Sequence, residues 1–258
     1  QARCVFAIDL DEDGDADVLS ASAVDDKIAW YENLGGGSFG PQQVITTAAD
    51  GAESVHAADL DGDGDADVLS ASPSPFDDKV AWYENLGGGS FGPQQVITTA
   101  ADDPEDVYVM DLDGDGDVDV LSASDMDHTV AWYENLGGGS FGPQQALTTL
   151  AVEAWSVYAT DLDGDGDSDV LSASRGDDKI AWYENLGNGA FGKQQVITLS
   201  ADGARSVHAG DLDGDGDADV LSASHADDKI AWYENLGGGS FGEQQVITTA
   251  ADAALSVH

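Results

Sequence analysis

Five segments of the chain share one acidic pattern, Asp-Leu-Asp-x-Asp-Gly-Asp-x-Asp. The first holds Asp9, Asp11, Asp13, Asp15 and Asp17, and the second Asp59, Asp61, Asp63, Asp65 and Asp67. The third holds Asp111, Asp113, Asp115, Asp117 and Asp119. The fourth holds Asp161, Asp163, Asp165, Asp167 and Asp169, and the fifth Asp211, Asp213, Asp215, Asp217 and Asp219. Carboxylates at loop positions 1, 3, 5 and 9 can converge on one point, position 7 can add its backbone carbonyl, and a glycine at position 6 lets the chain turn sharply. Hard oxygen donors at this spacing suit Ca²⁺, which accepts six to eight oxygens in flexible geometry. Mg²⁺ demands a tighter octahedron, and nothing soft is offered to zinc or copper. About one Ca²⁺ per repeat is therefore expected. The alternative, five merely solvated turns, must place carboxylates side by side with no cation to offset their repulsion. The loop is not an EF-hand: position 12 is Ser20, Ser70, Ser122, Ser172 or Ser222 rather than a bidentate acid, and the flanks read as strands.

The elements that position these loops recur on the same beat. The acidic loops start 50, 52, 50 and 50 residues apart, and Ala-Trp-Tyr-Glu-Asn-Leu-Gly follows at Trp30, Trp82, Trp132, Trp182 and Trp232. The longer interval contains Pro73-Ser74-Pro75-Phe76, an insertion in a loop. Each unit reads as four strands separated by turn residues. In the second unit these are residues 54–58, 67–72, 79–85 and 91–99, with Gly87-Gly88-Gly89-Ser90 supplying a hairpin and Pro93 suiting an outer edge strand. Four short strands in about 50 residues predict an all-β protein, a β-propeller of four-stranded antiparallel blades. A single repeat domain over 1–258 is expected, with blades at about 3–50, 53–102, 105–152, 155–202 and 205–252. Residues 253–258 match the start of a further unit and are expected to begin an extra strand.

Asp-x-Asp-x-Asp-Gly-x-x-Asp between two strands, then an aromatic strand and a Phe-Gly turn (Phe39-Gly40, Phe91-Gly92, Phe141-Gly142, Phe191-Gly192, Phe241-Gly242), resembles the FG-GAP/VCBS repeat. That family includes the propeller of integrin α-subunits and several propeller lectins. The resemblance covers essentially the whole chain. It implies calcium between the first and second strands of each blade, and extracellular adhesion or sugar binding as common roles.

Composition bounds the partners. With 51 acidic and 8 basic residues the formal net charge is −43, so nucleic acid and anionic membranes are poor partners. Five calcium ions would still leave about −33. No apolar run approaches a membrane span, and a start at Gln1 fits a processed or excised piece. Cys4, the one cysteine, stands where most other repeats carry Ser (Ser54, Ser156, Ser206) and excludes an intramolecular disulfide.

The repeats differ mainly in two places: the start of the first strand (Arg3, Glu53, Glu105, Trp155, Arg205, Leu255) and the loop between the second and third strands. In an up-and-down blade both fall on the face opposite the acidic loops. Trp155, Arg175, Arg205 and His225 are the ligand-contact candidates there, against the alternative of drift in exposed loops. Trp30, Tyr31 and their copies are expected to pack between blades. Phe6, His56, Tyr108, Tyr158 and His208 share one innermost-strand position and are expected to pack or to line a channel. Asp25-Asp26-Lys27 and its copies read as a solvated loop with a local ion pair. No nucleophile elbow, His-Glu-x-x-His or phosphate loop appears, so the chain is expected not to be an enzyme. The expected role is a calcium-stabilised extracellular or cell-surface scaffold or adhesion module. Its partners would be an extracellular protein, a glycan or copies of itself, and the other reading is a lectin-like propeller using the variable face.

Overall fold

The computed structural model describes residues 2–73 and 78–257. The loop residues Ser74, Pro75 and Phe76, and His258 of the last repeat match, lie outside the described residues. Twenty strands form five four-stranded antiparallel sheets, each in sequence order, which is the topology of β-propeller blades. Blade 1 contains β1 (Ala2–Ile8), β2 (Asp17–Ser22), β3 (Lys27–Tyr31) and β4 (Gln43–Thr46). Blade 2 contains β5 (Ser54–Ala58), β6 (Asp67–Ser72), β7 (Lys79–Tyr83) and β8 (Gln95–Thr98). Blade 3 contains β9 (Pro104–Met110), β10 (Asp119–Ser124), β11 (Thr129–Tyr133) and β12 (Gln145–Thr148). Blade 4 contains β13 (Ala154–Thr160), β14 (Asp169–Ser174), β15 (Lys179–Tyr183) and β16 (Gln195–Thr198). Blade 5 contains β17 (Ala204–Gly210), β18 (Asp219–Ser224), β19 (Lys229–Tyr233) and β20 (Gln245–Thr248).

The fourth strand is shorter than its sequence suggests. In blade 2 the ladder starts only at Gln95, while Phe91 makes an isolated bridge to Asn85. Gly92 N donates to Glu84 O at 2.7 Å, and Pro93, which has no N–H, cannot extend that pairing. Between the third and fourth strands, Gly87, Gly88 and Gly89 all take positive φ (90°, 60° and 68°), closed by Leu86 N donating to Ser90 O at 2.7 Å.

The chain packs as two compact units, residues 1–109, 117–122 and 132–145 in the first, and 110–116, 123–131 and 146–258 in the second. Each has a core of one kind. In the first, Leu10, Leu19, Ala21, Ile28 and Trp30 of blade 1 meet Val55, Ala57, Val68 and Tyr83 of blade 2, with Phe91 against them. In the second, Leu162, Leu171, Ala173, Ile180 and Trp182 of blade 4 meet Val207, Ala209, Val220, Tyr233 and Phe241 of blade 5. Both faces of an inner sheet are thus covered, and all six residues of β6 are buried rather than alternate ones. Trp30 and Tyr83, and Trp182 and Tyr233, pack between blades as expected from sequence, whereas Tyr31 and Trp232 are only partly buried. Fit is tight: a Cβ on Gly89 would lie 2.3 Å from Trp30 Cζ2, and one on Gly139 2.4 Å from Trp82 Cζ2.

The innermost-strand rings also pack on one another, Phe6 on His56 at 4.1 Å, His56 on Tyr108 at 5.0 Å, and Tyr158 on His208 at 4.6 Å between centroids. Cys4 is a free thiol whose Sγ donates to Val55 O at 3.6 Å.

The Asp-Asp-Lys loop differs from its sequence reading in one respect. The ion pairs are present, Lys27 to Asp25 at 2.8 Å and Lys179 to Asp177 at 2.6 Å. Lys179 is nevertheless buried, because its Nζ also donates to Leu150 O at 2.7 Å. The central Asp26 has φ 55° and accepts Gly51 N through Oδ1 at 3.0 Å, so this loop clamps the start of the next blade.

Candidate metal centre

Each acidic loop joins the first strand of its blade to the second. In blade 2, Asp59 folds the loop around itself: Oδ1 accepts Gly62 N at 2.7 Å and Oδ2 accepts Gly64 N at 3.0 Å. Asp61 Oδ1 then accepts Asp63 N at 3.1 Å, and Asp63 Oδ1 accepts Asp65 N at 3.0 Å. Gly62 and Gly64 stand at φ 81° and 104°, backbone that glycine adopts without a Cβ penalty. The other loops repeat the pattern, with Gly14 N to Asp9, Gly116 N to Asp111, Gly166 N to Asp161 and Gly216 N to Asp211 at 2.9–3.2 Å. Glu12 is the one departure, a non-glycine at φ 66° where the others have glycine.

Carboxylate oxygens within 4.8 Å of one another come from Asp9, Asp11 and Asp13; from Asp59, Asp61 and Asp67; from Asp111, Asp113 and Asp115; and from Asp161, Asp163 and Asp169. In these four loops positions 1 and 3 both contribute, joined by position 5 or position 9. The position-7 side chains instead lie against the glycine hairpin: Asp15, Asp65, Asp117, Asp167 and Asp217 come within 3.2–3.5 Å of a Cβ built on the first hairpin glycine.

The position-9 aspartates are fully buried. Asp67 Oδ2 accepts Leu60 N at 2.9 Å and Oδ1 accepts Asn85 N at 2.7 Å. Even so, burial pushes its carboxyl up to about 7, and that of Asp169 up to about 6. Burial, followed by neighbouring carboxylates, likewise raises Asp61, Asp113 and Asp163 above the usual range. A divalent cation among these oxygens would reverse the balance, favouring the charged forms. The donor set, all carboxylate and carbonyl oxygen with no nitrogen or sulfur, fits calcium.

An asparagine that the sequence reading passed over ties neighbouring loops together. Asn85 Nδ2 donates to Ala66 O in its own loop at 3.1 Å and to Leu10 O in the preceding blade's loop at 2.8 Å. Asn135 reaches Leu60 O, Asn185 reaches Leu112 O and Asn235 reaches Leu162 O, each at 2.7–2.8 Å. Its presence in every Trp-Tyr-Glu-Asn-Leu motif was visible, but a 73- or 75-residue separation from its acceptor was not.

On the variable face, three of the four candidates come together. The Arg175 guanidinium lies 4.4 Å and that of Arg205 4.0 Å from the centroid of Trp155. Arg175 also pairs with Glu153 at 2.8 Å and with Asp125 at 3.2 Å. His225 is exposed, and its backbone N–H donates to Gly203 O at 3.1 Å.

The comparisons agree with this geometry. The FG-GAP-like repeat model matches residues 9–70, 59–122, 111–172, 161–222 and 211–258. No curated protein sequence matches the chain. Among solved structures, an Agrocybe aegerita lectin described as recognising non-reducing terminal N-acetylglucosamine aligns over 96% of this chain at 23% identity and a TM-score of 0.68. The V. cholerae biofilm matrix protein Bap1 aligns over 98% at 21% identity and a TM-score of 0.56. The virginiamycin B lyase of Staphylococcus aureus aligns over 96% at 13% identity and a TM-score of 0.61. The chain spans 66% of the lectin's length, 40% of the matrix protein's and 72% of the lyase's. At these identities the likeness is one of fold. From the acidic loops and the five matches along its length, the chain belongs to the FG-GAP-like repeat family.

Proposed function

We propose that this chain is a non-catalytic, calcium-stabilised repeat module that acts outside the cell as a surface or filament scaffold or an adhesion domain. The observation that carries the reading is the acidic loop itself. Its position-1 aspartate is locked by two backbone N–H groups, and three carboxylates converge within 4.8 Å in a repeat whose position-9 acid is buried. Positions 1, 3, 5 and 9 would hold the ion with the position-7 carbonyl, and the ion would supply charge neutralisation and cross-linking rather than a reaction. The millimolar calcium of extracellular fluids would saturate such sites. The biofilm matrix protein is a neighbour in fold with an extracellular setting. An ion that binds only the folded chain at 100 times its dissociation constant adds about 2.7 kcal/mol per site.

Calorimetric titration of the chelator-stripped protein with Ca²⁺, with a melting curve at each point, tests this. About five ions per chain, one per loop, and a steep rise in melting temperature are expected. No binding heat and an unmoved melt between EDTA and millimolar Ca²⁺ would overturn it.

One observation favours a second reading, glycan binding. The Trp155–Arg175–Arg205 cluster occurs once, on repeats otherwise nearly identical, and faces away from the acidic loops. A glycan array on the calcium-loaded protein and on Trp155→Ala tests it. Signal lost in the variant supports the reading, and an array without signal removes it.

A further inference from the structure

The acidic loops of adjacent blades are joined by a buried run of hydrogen bonds that starts and ends on a position-9 aspartate. In blade 1, Asp17 Oδ2 accepts Leu10 N at 3.0 Å, so this carboxylate fixes the peptide at loop position 2. The Leu10 carbonyl accepts Asn85 Nδ2 of blade 2 at 2.8 Å. The backbone N of Asn85 donates in turn to Asp67 Oδ1, the position-9 carboxylate of the second loop, at 2.7 Å. The other Nδ2 proton goes to Ala66 O at 3.1 Å, and Oδ1 accepts Gly87 N at 3.1 Å, which fixes the end of the amide that donates. Asp17, Leu10, Asn85 and Asp67 are all 0–1% exposed.

The second unit repeats the run. Leu162 N donates to Asp169 Oδ2 at 2.9 Å, Asn235 Nδ2 to Leu162 O at 2.7 Å, and Asn235 N to Asp219 Oδ1 at 2.7 Å.

We propose that Asn85 and Asn235 are positioning residues that couple the calcium sites of neighbouring blades, so that filling one loop tightens binding in the next. The inference rests on the calcium reading and adds how its sites are regulated. An ion in the first loop would draw in Asp17 as its position-9 ligand, and the Leu10 peptide with it. That aims the Leu10 carbonyl at Asn85, whose backbone N–H holds Asp67. The second ion then meets a ligand already ordered, and the conformational freedom lost at the first site is not lost again. Linkage makes the effect reciprocal. Repulsion between the two ions opposes it. That repulsion acts across exposed loops, where salt at about 0.15 M screens charges beyond about 8 Å, whereas the hydrogen-bonded path is buried. Couplings between sites typically change affinity ~5–150-fold, and a single shared amide points to the lower end, about 10-fold.

The test is hydrogen exchange by mass spectrometry on the full chain across a series of free Ca²⁺ concentrations. Loop amides such as Gly62 and Gly64, bonded to Asp59, slow as an ion binds, so each loop reports its own midpoint. Flanking residues separate the peptides in mass, Ala57-Ala58 before the second loop and Ala209-Gly210 before the fifth. Asp11→Ala empties the first site but leaves Asp9, whose two oxygens lock the loop. It is expected to move the second-loop midpoint about 10-fold higher and to leave the fifth unmoved. Asn85→Ala keeps the backbone N–H on Asp67 and removes only the side-chain amide. In that background Asp11→Ala is expected to shift the second loop by less than about 2-fold. An asparagine with a merely structural role would weaken the second site and leave the effect of Asp11→Ala intact. Asp163→Ala read at the fifth loop, with and without Asn235→Ala, repeats the cycle in the second unit should Asn85→Ala fail to fold. A second-loop midpoint that ignores Asp11→Ala, falls to lower calcium, or responds equally with and without Asn85 would overturn this proposal alone. Loops that calcium never protects would overturn the calcium reading, and this one with it.

Discussion

Replacing Asn85 by alanine isolates what one inter-blade seam contributes. The side chain is 1% exposed and makes three hydrogen bonds, to Leu10 O, to Ala66 O and from Gly87 N, at 2.8, 3.1 and 3.1 Å. Three net bonds at about 1 kcal/mol each, plus part of the desolvation penalty for leaving the buried Leu10 carbonyl unpaired, give about 4 kcal/mol. Asn33→Ala is the internal control. It removes the same motif residue but only two bonds, at a partly exposed site where water replaces them, and costs about 1–2 kcal/mol. Guanidinium unfolding followed by tryptophan fluorescence, at saturating calcium and at protein dilution that keeps chains apart, compares the two. In a repeat architecture the loss falls mainly on the blade 1–2 coupling, so the amides of β1–β4 should also exchange faster in Asn85→Ala. A difference between the variants below about 0.5 kcal/mol would refute the argument that the seam is a main-chain cross-link between loops.

Gly139→Ala drives a methyl to 2.4 Å from Trp82 Cζ2 at φ 67°, whereas at Gly138, φ 61°, nothing lies within 4 Å. Alanine at 139 should cost at least about 2 kcal/mol more than at 138, read from paired denaturation curves. His56, its Nδ1 buried without a hydrogen bond among the described residues, has its imidazole pushed from 6.5 down to about 4 by burial. The unfolded chain therefore takes up the proton first, and stability present above pH 6.5 is lost as pH falls towards 4, on the order of 3 kcal/mol in all. His56→Tyr, the residue that Tyr108 and Tyr158 place there, should flatten that part of the pH profile relative to wild type, and parallel profiles would exclude the effect. Arg175→Ala leaves the buried Asp125 carboxylate without its 3.2 Å partner and removes a guanidinium from Trp155, which should cost about 3 kcal/mol by denaturation. A loss under about 1 kcal/mol would mean that the cluster is solvated rather than structural.

The repeat period, the strand order and the acidic loops were legible in the sequence because each is local. A nine-residue run of alternating aspartates closes on itself through Asp59 and two glycine N–H groups whatever lies around it. Near-identity of the repeats then announced one sheet per repeat. What a repeat could not show is which copy of a residue meets which. Asn33 and Asn85 stand in identical motifs, yet only Asn85 has another blade's carbonyl in reach. Val5 and Val55 are the same residue in the same strand, and one is bare while the other is core. Lys179 looked like a solvated cation and is buried by a carbonyl 29 residues away. Trp155, Arg175 and Arg205 were separate candidates by type, and only the folding of β13, β14 and β17 beside one another made them a single stack. The sequence by itself determined the blade and its acidic loop, since both arise from contacts within a few residues or one hairpin. Tertiary structure decided burial, seam and exposed face, because those depend on neighbours that no single repeat contains.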